Sequence, residues 1–424
     1  MDRVDRKKKK VGIISLGCPR NLVDSELLLG SLKKKGYVIC DGMHEADIGI
    51  INTCAFIEEA KQESIDTILE CIKLKKQGRL KKLIVTGCLP QRYSQELVAN
   101  LKEIDALTGV YKFNHTLNRF RLTPAHYAYV KISEGCSNKC SYCVIPKIKG
   151  KFRSRDKDSI KNEIIKLDKQ GVVEINFIGQ DISLYGKDLH PDCNLTDLLK
   201  ESIKLVKNIK WIRLLYLHPA HIEDSLIDLI AQEPLISKYV DLPIQHINDR
   251  ILKSMNRGIN RQQIIALIEK LRKQINNLCL RTSIIVGFPG ETDKEFEELL
   301  DFIKEVKFDR LGAFIYSPEE GTPAYGFVSQ VPDKIKKERF RILMSTQQEI
   351  SGALLRRSIG QTLDVLVDEK DQDNGKFYLA RSCDLAPEVD GIIYVQAKKF
   401  IRPGSFIKVK IIDTYEYDLV AQQL

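Results

Sequence analysis

No uninterrupted apolar run in this 424-residue chain approaches the roughly 18–20 residues a membrane helix needs. The basic run that ends at Lys10 precedes seven residues, Val11–Gly17, closing on Ser-Leu-Gly-Cys. That order imitates a lipoprotein signal, but the stretch sits at the bottom of the usual length range and holds two glycines. Val11–Leu16 therefore reads as a buried strand, and Lys7–Lys10 as a solvated, mobile arm. Cysteine is too scarce for a disulfide-dense chain of this size, yet eleven are too many to ignore, and an odd count excludes complete pairing. The chain is expected to be cytoplasmic, with thiols reduced and free to bind metal. A composition 43% apolar and 29% charged excludes disorder, collagen and a small disulfide scaffold. The length implies two to four domains, and a net charge of +10 suggests an anionic or RNA-rich neighbourhood.

What is present divides into three stretches. In residues 9–125, short apolar runs (Val11–Leu16, Ile48–Asn52, Leu83–Thr86) alternate with helical periodicity at Ser25–Lys35 and Ile57–Gln77, which predicts an open parallel α/β sheet. Residues 126–356 carry strand-like runs at 128–132, 172–178, 211–217, 240–244, 280–286 and 311–316. Helical candidates fill the gaps at 156–170, 195–208, 222–232, 248–275 and 292–306. Six strands are too few for a full eight-fold barrel, so an incomplete (β/α) barrel is expected. In residues 357–424, strands at 362–367, 377–380, 391–395 and 405–412, separated by Asp-Asn-Gly and Arg-Pro-Gly turns, predict a small antiparallel β-barrel. A helix over 333–357 should tether it.

The most informative motif is Cys136-Ser-Asn-Lys-Cys140-Ser-Tyr-Cys143, C-x3-C-x2-C directly after the first barrel strand. Three thiolates on one loop can converge on a metal centre, and the motif supplies no fourth ligand. Structural zinc takes four, usually in C-x2-C pairs, so zinc would need a distant residue to complete it. A 4Fe–4S cluster held by three cysteines instead leaves one iron open. A second set is subtler: Cys18, Cys54 and Cys88 each end an apolar run, at separations of 36 and 34. Each should lie just beyond the carboxyl end of a parallel strand, where open α/β sheets assemble their sites. Equivalent positions on neighbouring strands allow them to hold a second cluster. Cys40, Cys71, Cys193, Cys279 and Cys383 lack such context and read as structural.

The C-x3-C-x2-C loop, with its aromatic before the last cysteine, resembles the radical S-adenosylmethionine (SAM) superfamily. Over nearly the whole chain the order of parts resembles the methylthiotransferases, which join an α/β domain with an auxiliary cluster, a radical SAM barrel and a C-terminal TRAM domain. Several strings resemble the branch acting on ribosomal protein S-twelve: Cys18-Pro-Arg-Asn-Leu-Val-Asp24, Gly179-Gln-Asp-Ile-Ser-Leu-Tyr-Gly186, Asp241-Leu-Pro-Ile-Gln-His246, Arg281 to Glu291, Tyr316 to Gly321 and Arg381 to Gly391. The tRNA-modifying branch resembles Gly-Cys-Gln-Met-Asn where this chain has Gly-Cys-Pro-Arg-Asn. Cys383 departs from the tyrosine-like or small residue expected in the last string.

The resemblance implies two 4Fe–4S clusters, on Cys18, Cys54 and Cys88 and on Cys136, Cys140 and Cys143. It also implies SAM, one molecule as methyl donor and one as the source of a deoxyadenosyl radical. The reaction implied places a methylthio group on an aspartate β-carbon of ribosomal protein S-twelve, free or within the assembling small subunit, with an electron donor such as a flavodoxin or ferredoxin. A tRNA adenosine methylthiotransferase is the alternative. No membrane and no obligate nucleic acid are expected as partners. Gln180, Asp181, Arg213, Gln245, Ser283, Gly287 and Pro289 are the candidate SAM contacts; each could instead be a turn or a satisfied interior group. Charge bears on the substrate: residues 360–424 carry eight Lys and Arg against eleven Asp and Glu, leaving +13 on the rest. A mildly acidic β domain suits a basic protein better than a phosphate backbone.

Overall fold

The computed structural model describes residues 8–110, 119–190 and 193–424; Lys7 of the basic arm lies outside them. The chain forms two compact units. One comprises residues 1–123 with 134–137 and 144–153, the other 124–133, 138–143 and 154–424. Among the described residues no helix is long and apolar enough to cross a membrane.

The first unit is built on a wholly parallel five-stranded sheet in the order Val38–Ile39, Lys10–Ser15, Ile48–Thr53, Lys82–Gly87, Ala106–Leu107. The β-branched runs in the central strands bury Ile51, Leu83 and Val85 against Ile68 and Ile72 of the helix Glu58–Lys76. That helix places Glu58 and Glu59 in its first turn and Lys73, Lys75 and Lys76 in its last, in line with its dipole. The first helix starts at Pro19, earlier than its periodicity suggested, because proline is tolerated in a first turn where its missing N–H is not needed. Cys18 is its N-cap. Strand order reverses between Lys10–Ser15 and Ile48–Thr53, which makes the gap beyond their carboxyl ends the switch point of the sheet.

The second unit begins with six parallel strands in an open curved sheet: Tyr127–Lys131, Glu174–Ile178, Trp211–Leu214, Ile236–Asp241, Cys279–Val286 and Arg310–Ile315. Alternation sends Ile175, Phe177, Ile212, Leu214, Val240 and Leu280 outward into the main apolar core with the helices. The opposite face is polar: Tyr129, Asn176 and Arg213 lie side by side in register, as do Asp241, Arg281 and Arg310. Two differences from the expectation bear on the site. The fourth strand is Ile236–Asp241 rather than 240–244, so 242–246 run on beyond its carboxyl end, with Gln245 at φ 74°. The helix expected over 248–275 is two, Asp249–Ser254 and Arg261–Gln274. Asn256 at φ 52° and Gly258 at φ 68° interrupt it, and Asn260 restarts the chain with a capping box.

The helix Asp333–Arg356 leads into a closed five-stranded barrel, Thr362–Lys370, Phe377–Arg381, Ile393–Gln396, Phe406–Thr414 and Leu419–Gln423. The last strand was not anticipated; its Leu-Val-Ala-Gln-Gln composition is short and half polar, yet it pairs with two neighbours. The loop 382–391 leaves this barrel and enters the amino end of the six-stranded sheet. There Tyr127 Oη donates to Glu388 Oε1 at 2.7 Å, Tyr239 Oη to Asp390 Oδ2 at 2.7 Å and Arg213 Nη1 to the Cys383 carbonyl at 2.8 Å. Glu174 pairs with both Arg213 and Arg381, and Arg381 with Asp368. The string Arg381 to Gly391 thus has a structural account: it plugs the barrel floor.

Candidate functional site

In the first unit Cys18, Cys54 and Cys88 stand immediately beyond three adjacent strands, two of them flanking the switch point. Glycine precedes two of these cysteines because a side chain there would collide with the site. A Cβ on Gly17 (φ 84°) would lie 2.8 Å from Cys54 Sγ, and one on Gly87 (φ 100°) 2.4 Å from Asn52 Oδ1. Asn21 pins the strand ends together: its Nδ2 donates to the Leu16 and Thr53 carbonyls, while Asn52 Nδ2 donates to the Asn21 carbonyl and to Ser25 Oγ. That explains asparagine three residues after Cys18. Cys54 and Cys88 are buried and Cys18 is half-buried. Burial pushes the Cys88 thiol up to about 12 and raises Cys54, where the charge of Cys18 adds to it. Burial opposes the Cys18 thiolate too, but Arg20, the Asn21 N–H and Lys149 hold that thiol below its ordinary value.

In the second unit the carboxyl end of the six-stranded sheet holds the other half of the chemistry. Cys140 and Cys143 are in one turn, the Cys143 N–H donating to the Cys140 carbonyl at 3.1 Å. The interruption of the helix at 255–260 grips this turn. The Ser141 N–H donates to the Met255 carbonyl, Ser141 Oγ to the Ser254 carbonyl and Asn256 Nδ2 to the Lys139 carbonyl. Arg257, 6% exposed, directs Nη1 at Cys140 Sγ, 3.6 Å away, and Nη2 at the Pro243 carbonyl. Burial opposes its charge, but Tyr142 and Cys140 outweigh that and raise its pKa. Cys136 belongs to the first unit, where its N–H donates to the Gly150 carbonyl at 3.1 Å.

Asp181 organises the neighbourhood. Its Oδ2 accepts from Asn138 Nδ2 at 2.8 Å and bonds His221 Nδ1 at 2.7 Å, and its Oδ1 accepts from the Ser183 N–H. Burial opposes its negative charge, but His221 outweighs that and holds the carboxyl below its ordinary value. His218 stacks on His221 at 4.5 Å and takes the Ala220 N–H on Nδ1, which puts its own proton on Nε2. Burial, then Arg257, pushes His218 down to about 3, so the ring is neutral. Around this cluster lie buried polar atoms without a hydrogen-bond partner among the described residues: Ser133 Oγ, Gln180 Oε1 and His218 Nε2. Both amide atoms of Asn176, at mid-strand and level with Tyr129 and Arg213, are likewise without one. Orphaned groups of this kind are rare in finished cores and fit a polar cofactor seated over the sheet. Asp181, His218 and His221 bring ligand atoms within 4.8 Å of one another, but both Asp181 oxygens are already engaged. Among the described residues no thiol belongs to such a close set. The three-thiol donor chemistry of each set matches a 4Fe–4S cluster with one open iron rather than four-coordinate structural zinc.

The expected SAM contacts separate. Gln180, Asp181 and Gln245 reach the carboxyl end, and the Gln245 N–H donates to the carbonyl of half-buried Ser283 at 2.9 Å. Gly287 gives its N–H to Glu291 Oε2, and Pro289 is buried beside Phe288. Arg213 turns away: fully buried and level with Asn176, it extends toward the amino end, where its guanidinium is spent on Glu174 and the Cys383 carbonyl. Strand alternation gave its inward face but not which end it serves. Asn138, Asn176, His218 and Arg257 were missed. Only Asn138, inside the cysteine loop, carried a signal that could have singled it out.

Residues 10–109 match the Uncharacterized protein family UPF0004, residues 130–303 the Radical SAM superfamily and residues 359–424 the TRAM domain. The ribosomal protein uS12 methylthiotransferase RimO of Clostridium novyi is 45% identical over 437 residues, covering 97% of each chain. The protein of the same name from Geobacter sulfurreducens is 45% identical over 442 residues, covering 98% of each. The solved radical SAM methyltransferase TsrM of Kitasatospora setae, with cobalamin and a 4Fe–4S cluster bound, aligns with 75% of this chain and 77% of its own at TM-score 0.53 and 14% identity, a likeness of fold. Three matched segments in the same order and 45% identity over almost the full length place this chain in the ribosomal protein uS12 methylthiotransferase family of radical SAM enzymes.

Proposed function

We propose that the chain places a methylthio group on the β-carbon of an aspartate in ribosomal protein S12, using two 4Fe–4S clusters and SAM, one molecule as methyl donor and one as radical source. The observation that carries this reading is the presence, in one chain, of the Cys18–Cys54–Cys88 set at a sheet switch point and the C-x3-C-x2-C loop at the head of a parallel barrel. When bound, the clusters and SAM supply the one-electron chemistry that an unactivated C–H bond demands and that no side chain can provide.

The protein's own part is to hold, orient and enclose. Cys18, Cys54 and Cys88 hold one centre, and Cys136, Cys140 and Cys143 the other. Arg257 stabilises the Cys140 thiolate with a charged N–H, and Asp181 anchors the cysteine loop through Asn138. Gln180, Asn176, Ser133 and His218 offer unspent donors and acceptors to the polar groups of SAM. Gln245, Ser283, Gly287 and Pro289 complete the wall on the far strands, while the 382–391 loop closes the floor against water. The working division is 9–125 for sulfur handling, 126–356 for radical formation and 357–424 for substrate engagement.

The C-terminal barrel supports a basic protein partner. Phe377, Tyr394 and Tyr415 form an edge-to-face ladder with centroids 6.1 and 6.0 Å apart, and Asp371 and Asp418 lie close enough to act on Tyr394 electrostatically. Aromatic faces beside carboxylates suit lysine and arginine side chains. The reaction is assigned to the cytoplasm, on S12 within the assembling small subunit, with a flavodoxin or ferredoxin as reductant. Peptide mapping of S12 from cells lacking this gene is the test. Loss of the methylthio mass on one aspartate is expected, and its persistence would overturn the proposal.

A further inference from the structure

Lys149 lies six residues after Cys143 in sequence, yet it belongs to the first compact unit. It ends the short helix Ile145–Lys149; Val144, just before the helix, and Ile148 within it bury in one apolar cluster with Cys88 and Leu89. Its Nζ donates to Asp24 Oδ2 at 3.0 Å, with side chains only 4% and 7% exposed. Asp24 stands on the helix that Cys18 caps. Burial opposes the charge of Lys149, but Asp24, Cys88, Glu134 and Cys18, in that order, more than offset it and raise its pKa. The ammonium is therefore fixed, buried and within electrostatic reach of two of the three thiols.

A buried ammonium on one carboxylate gains little over a well-packed apolar residue of the same volume, so stability alone is a weak reason for the pair. Charge around the site supplies a stronger one. Three thiolates make an anionic centre, and a fourth ligand that is itself an anionic sulfur, hydrosulfide or an alkylthiolate, adds further negative charge away from water. Such a ligand stays only if fixed positive charge is close. The cations acting on the Cys18 thiol are Arg20 and Lys149; Lys149 also acts on Cys88, where it is the first group to oppose burial.

We infer that Lys149 is a positioning residue for sulfur: its fixed positive charge lets the Cys18–Cys54–Cys88 centre retain an anionic sulfur ligand. Asp24 sets the position of the ammonium and tempers its charge. The inference rests on the reading that these three cysteines hold a cluster, and it deepens that reading by assigning the sulfur-holding charge to a residue from the other cysteine motif's own segment.

The test uses full-length protein with Cys136, Cys140 and Cys143 changed to Ala, reconstituted with iron and sulfide so that only the first centre is loaded. Its reduction is followed by electron paramagnetic resonance, and sodium hydrosulfide and methanethiolate are titrated in as the probe ligands. Lys149→Met is expected to weaken hydrosulfide binding about tenfold and to lower the reduction potential by about 59 mV, the equivalent of a tenfold change for a one-electron couple. Lys149→Arg should restore both, and Asp24→Asn should move the potential the opposite way. Opposite signs separate charge from packing, since a merely structural role would shift both variants together. Unchanged potential and hydrosulfide affinity in Lys149→Met overturn the inference while the cluster reading stands. If Lys149→Met fails to load iron, Asp24→Asn decides: a raised potential supports the inference, and an unmoved or lowered one overturns it. A parent protein that shows no cluster signal overturns the cluster reading, and the inference with it.

Discussion

The two ends of the six-stranded barrel are made of the same kinds of residue and behave oppositely. At the amino end, Glu174, Arg213, Arg381, Tyr127 and Tyr239 meet partners supplied largely by the C-terminal domain. At the carboxyl end, Ser133, Gln180 and His218 keep buried polar atoms unsatisfied, and Asn176 does so at mid-strand, level with Arg213. Asn176 and Glu174 sit two residues apart on one strand and on one face. The contrast teaches that inward polarity alone does not mark a binding site. Both ends leave atoms without a hydrogen bond among the described residues, Ser237 Oγ and Arg310 Nε at the amino end among them. What sets the carboxyl end apart is that its unspent atoms gather around Asp181 and the cysteine turn it anchors. A fold satisfies its buried groups where it can, and the exceptions point to what binds there.

The largest effect is expected at the amino end. Glu174→Gln leaves Arg213 and Arg381 without their shared carboxylate and should cost about 3–5 kcal/mol, read as a fall in thermal midpoint with SAM affinity retained. A loss of SAM affinity at unchanged stability would erase the distinction between the ends. Next, Arg257→Met removes a charged donor from Cys140, a contribution of roughly 1.5–3 kcal/mol. Iron held by the Cys136–Cys140–Cys143 site should then leave at least tenfold faster under chelator challenge, with little change in the iron of the other centre.

A pH series sharpens the carboxyl end further. His218 and His246 are both pushed down to about 3 by burial. Below about pH 6.5 the unfolded chain takes up protons that the folded chain refuses, so stability falls as pH falls from there toward 3. The slope approaches about 1.4 kcal/mol per pH unit for each histidine. His246→Gln should flatten the decline in urea midpoint between pH 6.5 and 5 by one histidine's share; an unchanged slope would mean that the ring takes up a proton in the native state. The smallest effect belongs to Asn176→Leu, which removes two unsatisfied atoms. Stability of the cofactor-free protein should hold or rise slightly, while SAM binds roughly fivefold more weakly, the worth of about 1 kcal/mol of lost hydrogen bonding. Calorimetry and isothermal titration read the two quantities separately.

Much of this arrangement was legible from residue order. Gly-Cys after apolar β-branched runs announces strand end and candidate ligand, because only glycine leaves room beside the Cys54 thiol at position 17 and beside Asn52 and Thr53 at position 87. The C-x3-C-x2-C loop announces itself by spacing. Less legible were features that depend on distant chain meeting near chain. Arg257 lies in a stretch with uninterrupted helical periodicity, and only the Asn256 and Gly258 backbone, which opens toward the cysteine turn, reveals its role. Arg213 has the expected inward face, but its long side chain leans to the amino end, and a period of two carries no information about which way a side chain leans. The closing strand Leu419–Gln423 was hidden by its polar end, where Gln422 is exposed and Gln423 half-buried.

The floor of the barrel also sets an order of assembly. Tyr127 waits for Glu388, 261 residues downstream, and the loop bearing Glu388 is held in place by a barrel that closes only with the strand Leu419–Gln423. During synthesis the first sheet can fold on local pairings, but Glu174 and Arg213 face each other over an open floor until nearly the last residue has left the ribosome. The radical SAM sheet of the molecule therefore matures last, and a chain truncated at residue 380 would keep the six cysteines proposed as ligands and lose the floor of the sheet whose unit carries Cys140 and Cys143.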